Sequence, residues 1–241
     1  ALVGVAIAVG VGVLIAIPAL RIRGLQLALV TLAAAVAVTE LVLANEALIG
    51  EGARSIVTVP PPSWFGVDVG VTTDAAGLPS RTHLAIFAII WLVVMIVAVT
   101  GLRRGATGRR FLAVRSNERA AAAAGVNVVG AKLLGFGIAS AIAGVAGVLT
   151  SYHQTVLQIT TWSALAGIAN LALLFVGGVG RVSGAIIGGL LTPGGLLSQT
   201  SADGEVLRNA VTGALMIAIA VFRPDGLASL GRPLIDAIKR R

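Results

Sequence analysis

The sequence predicts an all-α integral membrane protein, a polytopic helical bundle of about seven transmembrane segments. Three observations predict it. Hydrophobic residues make up 57% of the 241 positions and 31 glycines add to that share, while only 12% of the chain is charged, about half the proportion of a soluble domain. Mean hydropathy is +0.98. The apolar residues also fall in long unbroken runs without the alternation of a barrel strand, and only helices and closed barrels satisfy their backbone polar groups in hydrocarbon. Such a composition excludes a disordered chain, which needs low hydrophobicity and high charge.

Crossing a bilayer core takes about 20 apolar residues. Windows near that length run from Ala1 to Ala19, Leu25 to Leu43, Leu84 to Leu102, Leu133 to Ser151, Trp162 to Val179, Gly184 to Leu197 and Val206 to Phe222. The sixth is shorter and rich in glycine, so by itself it reads either as a short crossing or as a re-entrant segment. The chain opens on Ala1 inside an apolar run that ends in Pro18, Arg21 and Arg23. It lacks a small-residue cleavage site before a polar region, and so reads as a span and not as a signal peptide.

The basic residues assign the sides. Arg21 and Arg23 precede the second window, seven cations from Arg103 to Lys132 follow the third, Arg181 follows the fifth, and Arg223, Arg232, Lys239, Arg240 and Arg241 follow the last. With seven crossings, these fifteen of the 18 basic residues share one face, which the positive-inside rule makes cytoplasmic. A re-entrant sixth segment would carry the basic tail to the other side, so parity favours a crossing. The N-terminus is then external, and an earlier span is expected to precede Ala1. The formal charge of +8 and the pI near 11.5 are therefore not those of a nucleic-acid binder, which gathers its cations on a soluble face. They belong to a chain that is cationic inside and acidic outside.

Two connections are long. The external one, residues 45–82, holds Pro60, Pro61, Pro62 and Pro79 with Gly66, Gly70 and Gly77, and predicts an irregular loop with at most short helices. The internal one, residues 102–132, contains a predicted helix from Phe111 to Ala124 with five consecutive alanines, stopping at Gly125, the residue type favoured just past a helix end. Residues 1–228 read as one transmembrane domain and residues 229–241 as a basic cytoplasmic tail.

Little catalytic chemistry is on offer. The chain has no cysteine, and neither Lys132 nor Lys239 sits in a Gly-Lys-Ser/Thr loop, so ATP is not bound by a Walker A route. His83 and His153 fall at the external boundary without an acidic partner at metal spacing, and no metal site, nucleophile triad or carboxylate pair is visible. Glu40 is the one carboxylate within the apolar windows; it reads either as a side chain snorkelling to the interface or as part of a pathway. Asn170, in mid-window, reads as an interhelical hydrogen-bonding group or as a pathway residue.

The glycines point to close helix packing. Gly180, Gly184 and Gly188 repeat every four residues, as do Ala139, Ala143 and Gly147, and Gly144, Gly177 and Gly178 lie in the same small-residue stretches. Small residues at this spacing form a face on which helix backbones approach closely. The internal loop carries more than topology requires: its cations orient the chain and attract anionic lipid, yet a sharply stopped helix at the membrane surface is also shaped to enter a groove on a soluble partner. For a bundle without its own energy source, that partner would be a motor.

The stretch "GRRFLAVRSNERAAAAAGVNVVGAKLLGFGIASAIAGVAGVL", Gly108 to Leu149, closely resembles the signature region of the membrane permeases of ABC importers for branched-chain amino acids. Arg115, Asn117, Glu118, Ala120 and Ala121 stand at the family's Arg-x-Asn-Glu-x-Ala-Ala pattern, followed by Gly-Val-Asn-Val from Gly125. "RIRGLQLALVTLA" from Arg21, "LLFVGGVGRVSGAIIGG" from Leu173 and "VFRPDGL" from Val221 agree in order. The resemblance implies a non-catalytic permease that pairs with a second homologous permease, two cytoplasmic ABC ATPase subunits and a periplasmic or extracellular solute-binding protein. ATP would be used by the ATPase partner and no cofactor held by this chain. It also implies that Asn117 to Gly125 is the coupling helix set into the ATPase, with Arg115, Asn117, Glu118, Ala121 and Gly125 as coupling residues. The chain departs from the family at Arg181 and at Gly184-Ala185, where Ser and Gly-Pro are common. Members of the broader family are associated with amides and urea as well as branched-chain amino acids. A passive small-solute channel or facilitator is the other reading open to this composition.

Overall fold

A computed structural model describes residues 2–20, 25–43, 57–58, 63–64, 67–68, 72–73, 79–80, 82–154, 156–157, 164–178, 180 and 182–192. The predicted span from Val206 to Phe222 and the tail from 229 to 241 lie outside them. The chain divides into two compact units, Ala1–Ser163 and Ala164–Arg241.

In the first unit, α1 (Leu2–Ala19) and α2 (Leu25–Val38) come first, α2 continuing through a π-helical turn at Thr39–Leu43. Further along the chain come α3 (Thr82–Arg104), α4 (Ala106–Ser116), α5 (Glu118–Ala123) and α6 (Val128–His153). At 23 and 26 residues, α3 and α6 are about 35 and 39 Å long. These two are apolar and long enough to cross a membrane. Both outrun their predicted windows by a few residues, because Arg103, Arg104 and Lys132 extend the helices past the hydrocarbon without breaking them.

Extended pairing among the described residues is limited to three antiparallel two-residue ladders. Val57–Thr58 (β1) pairs with Val156–Leu157 (β6), Ser63–Trp64 (β2) with Val67–Asp68 (β3), and Thr72–Thr73 (β4) with Pro79–Ser80 (β5). Proline and glycine punctuate this stretch too densely for a helix.

Helix α6 is the centre of the unit and packs against α1, α3, α4 and α5. A Cβ built on Gly12 would fall on the Ser140 side chain, and one on Gly144 would lie 3.0 Å from the Ala8 Cβ and 3.2 Å from the Val5 Cα. Further along, Gly4 faces Val148 and Gly137 faces Val13. Rising numbers on α1 thus meet falling numbers on α6, so the two helices run antiparallel. The close face of α6 is Gly137, Ser140, Gly144 and Val148, three or four residues apart, the spacing of one helix face. Ala139 and Ala143 are exposed, and at Gly147 a Cβ would meet nothing within 4 Å.

One end of the bundle gathers the start of α1, the start of α3 and the end of α6. Leu2, Val5, Phe87, Trp91, Val148 and Tyr152 line a common apolar cleft there, with Phe87 and Trp91 edge to face at 6.4 Å. Hence α1 and α3 run together and α6 runs against them, the alternation that charge parity predicts. Large apolar side chains elsewhere face outward: Ile86, Ile89, Ile90, Val93 and Val97 on α3 are each more than half exposed. In water such a surface would be an aggregation liability; in lipid it is the natural outer face.

The second unit contains α7 (Ala164–Gly177) and α8 (Val182–Leu191). Gly177 lies against Gly184 and Gly188, and Gly188 against Leu173 and Leu174, so the pair forms an antiparallel hairpin with backbones in direct contact. Gly177, Gly178, Gly184 and Gly188 are buried, whereas Gly180 is exposed. Gly178 adopts φ +108°, a left-handed conformation that glycine reaches without strain.

Candidate coupling site

The end of unit one opposite the aromatic cleft carries a short helix held by caps at both ends. Its approach begins at Gly105, the single residue between α3 and α4, whose amide donates to the Gly101 carbonyl at 3.0 Å. Gly108 is buried so close to the Arg103 backbone that a Cβ would collide with it. This tight return lets α4 pack back against α6, where Phe111 meets the flank at Gly135.

The residue pattern predicts one helix from Phe111 to Ala124; the structure corrects this to two, broken at Asn117. Asn117 is extended at φ −159° and ψ 111°, and its side-chain oxygen accepts from the Arg119 and Ala120 amides at 3.0 and 3.1 Å. An asparagine side chain that satisfies the first free amides of a helix favours a new helix start over continuation. Its own amide still donates to the Ala113 carbonyl, so one residue closes α4 and opens α5. Glu118, at the first position of α5, also has the charge that a helix N-terminus favours.

The far end closes equally tightly. The Gly125 amide donates to the Ala122 carbonyl at 3.0 Å and the Val126 amide to the Ala121 carbonyl at 2.9 Å. With Gly125 at φ +80°, this is a Schellman motif. Two residues on, Asn127 caps α6 by accepting from the Gly130 amide at 2.8 Å. A six-residue helix has no stability of its own; α5 exists because both ends are capped and one face is anchored. Ala121 is 4% exposed, and the Lys132 ammonium on α6 donates to the Glu118 carboxylate at 2.7 Å. That pair is partly exposed and adds under about 1 kcal/mol, but it fixes the direction in which α5 points from α6. Arg119, Ala120, Ala122 and Ala123 remain exposed.

Arg115, Asn117, Glu118, Ala121 and Gly125 thus fall within one connected piece of structure, with Ala121 turned inward and the other four at its rim. Glu40 is exposed in the π-helical turn after α2, and Asn170 is exposed on α7. Lys132 and Asn127 join the site without having been singled out by the sequence. Asn127 had a readable signal, a capping residue just before an apolar run. Lys132 had none, because the pair spans two elements whose angle is set by the Gly125 turn.

Apolar spans with outward-facing aliphatic surfaces, and a capped helix held at the end of one of them, define a helical membrane protein. The chain belongs to the family described as branched-chain amino acid transport system / permease component, whose model matches residues 1–220. It is 27% identical over 228 residues to the high-affinity branched-chain amino acid transport system permease protein LivM of Salmonella typhimurium, covering 89% of this chain and 53% of LivM. To BraD of Pseudomonas aeruginosa, a permease protein of a system of the same description, it is 31% identical over 161 residues, 66% of this chain and 50% of BraD. To LivH of Escherichia coli, likewise so described, it is 28% identical over 199 residues, 81% of this chain and 62% of LivH. The chain spans about half the length of the LivM relatives it matches. No solved structure matches.

Proposed function

We propose that this chain is the transmembrane permease subunit of an ATP-binding cassette importer, moving branched-chain amino acids or related small solutes across the cytoplasmic (inner) membrane of a bacterium or archaeon. It catalyses no reaction itself. In this reading it pairs with a second homologous permease, two cytoplasmic ABC ATPase subunits that use the ATP, and an external solute-binding protein that supplies the solute. Residues 1–228 form the permease domain with about seven apolar segments, and residues 229–241 are a cytoplasmic tail.

The observation that carries this reading is α5, a six-residue helix capped at both ends and braced on a 26-residue span. Its exposed alanines offer a small, smooth knob for a groove on a soluble protein. Because Glu118 is tied to Lys132 and Ala121 is buried, a push on α5 is delivered to α6. Helix α6 runs on to the opposite end, where it packs against α1 and α3. Nucleotide-driven closure of the ATPase would thereby reach the external mouth through one continuous helix. Arg115, Asn117, Glu118, Ala121 and Gly125 are the coupling residues; the buried glycines maintain the close crossings.

The test is uptake by proteoliposomes holding the full assembly. Accumulation of leucine, isoleucine or valine against a gradient, dependent on internal ATP and on the solute-binding protein, is the expected result, with amides and urea as the comparison substrates. Equal flux through the permease without its ATPase would instead make it a passive channel.

A further inference from the structure

Among the described residues, one strand pairing joins parts of the first unit that lie far apart in the chain. The β2–β3 and β4–β5 ladders each pair strands a few residues apart, whereas β1 pairs with β6 about a hundred residues further on, Val57 opposite Leu157 and Thr58 opposite Val156. A two-residue ladder has little stability of its own, and closing so long a loop costs entropy. The two strands therefore meet because the packed helices already bring them together.

The ladder stands on short feet. The Gln154 amide closes α6 by donating to the Thr150 carbonyl at 2.9 Å, and Gln154 itself is extended at φ −99° and ψ 90°. Val156 follows two residues later, at most about 7 Å along the chain. On the other side, β5 ends at Ser80 and α3 begins at Thr82, an equally short link. Helices α3 and α6 meet at this end across the cleft of Phe87, Trp91 and Tyr152. The stretch from β1 to β5 is thus held to α6 by the ladder and to α3 by the chain. At its other end α6 carries α5, through the Lys132–Glu118 pair, and no proline interrupts the 26 residues between. We propose that the β1–β6 ladder is the outer coupling contact of the permease. It ties the external segment to α6, so that docking of the solute-binding protein outside and movement of α5 inside act on the same helix. The inference rests on the importer reading and its topology, and adds the external link.

The experiment uses the full importer in proteoliposomes and reads how strongly the loaded solute-binding protein stimulates ATP hydrolysis. The load is leucine, or whichever comparison solute the unmodified assembly takes up. Thr58→Cys with Val156→Cys places two thiols at directly opposed positions of a chain without native cysteine. Such partners lie about 4.5–5.5 Å apart between Cα atoms, within the reach of a disulfide. The disulfide is expected to form on mild oxidation and to leave stimulation intact, because the ladder stays paired while α6 moves. Adding Leu157→Pro, which removes an amide from β6 and fixes its φ, is expected to lower stimulation about fivefold or more in the reduced protein. Oxidation should then restore it, a recovery that general damage to the fold would not show. The cysteine pair without proline keeps the test decisive if the proline variant fails to fold. Absence of the disulfide, loss of stimulation on oxidising the cysteine pair alone, or equal stimulation of the proline variant in both redox states would overturn the proposal. An unmodified assembly whose ATPase ignores the binding protein would overturn the importer reading itself, and the proposal with it.

Discussion

Replacing Gly125 by valine together with Asn117 by alanine is expected to cut solute uptake by the assembled importer at least about tenfold while the chain still inserts and its spans melt normally. The reason is the absence of any reserve in α5. Gly125 sits at φ +80°, where a residue with a Cβ costs roughly 1–2 kcal/mol and a β-branched one more. Loss of the Asn117 cap removes two further hydrogen bonds, worth about 0.5–2 kcal/mol. A six-residue helix cannot absorb a combined penalty of about 2–4 kcal/mol. Space is not at issue, since a Cβ at Gly125 would meet nothing within 4 Å. Gly125→Asn, which tolerates the left-handed conformation, is therefore expected to keep most of the uptake lost in Gly125→Val. Equal loss from asparagine and valine would show that conformation is not what matters there.

The second large effect is expected in the α7–α8 hairpin. Gly184→Val places its side chain onto the Gly178 carbonyl and within 2.8 Å of the Gly177 oxygen. Overpacking a tight crossing costs about 1–3 kcal/mol when side chains give way; here the obstacle is backbone, so the cost falls at or above the top of that range. The hairpin should open, lowering both the melting temperature and the yield of inserted protein. Gly189→Ala, one turn away in the same helix, meets nothing within 4 Å and is expected to leave both unchanged. Comparable destabilisation by the two variants would mean that the close crossing at Gly184 is not what decides stability.

What could be read directly from the residues follows the physics that determined each feature. The helices α1, α2, α3 and α6 were legible because burial in lipid demands long apolar runs, and the course of α6 against α1 and α3 agrees with the alternation that the distribution of cations predicts. The Gly125 stop was legible because few residues other than glycine accept its backbone angles. The break at Asn117 was not, since five alanines beyond it argue for one continuous helix and a single side-chain cap outweighs them locally. The small-residue pattern of α6 points in part to Ala139 and Ala143. The close face runs instead through Gly137, Ser140 and Gly144, because several sets of small residues share helical spacing and only the position of α1 selects among them. The Glu118–Lys132 pair is tertiary in the same sense.

Contact between α5 and the ATPase is open to cysteine cross-linking. The chain has no native cysteine, so Ala122→Cys on the exposed face of α5 supplies the one thiol of this chain. Val97→Cys on the outward face of α3, where Val97 is 65% exposed, serves as the control. With a thiol-anchored photo-crosslinker in transport-competent membranes, Ala122→Cys should yield an adduct with the ATPase subunit whose amount changes on adding nucleotide, and Val97→Cys should yield none. An importer that transports normally yet gives no ATPase adduct from Ala122→Cys in any nucleotide state would mean that α5 does not meet the ATPase.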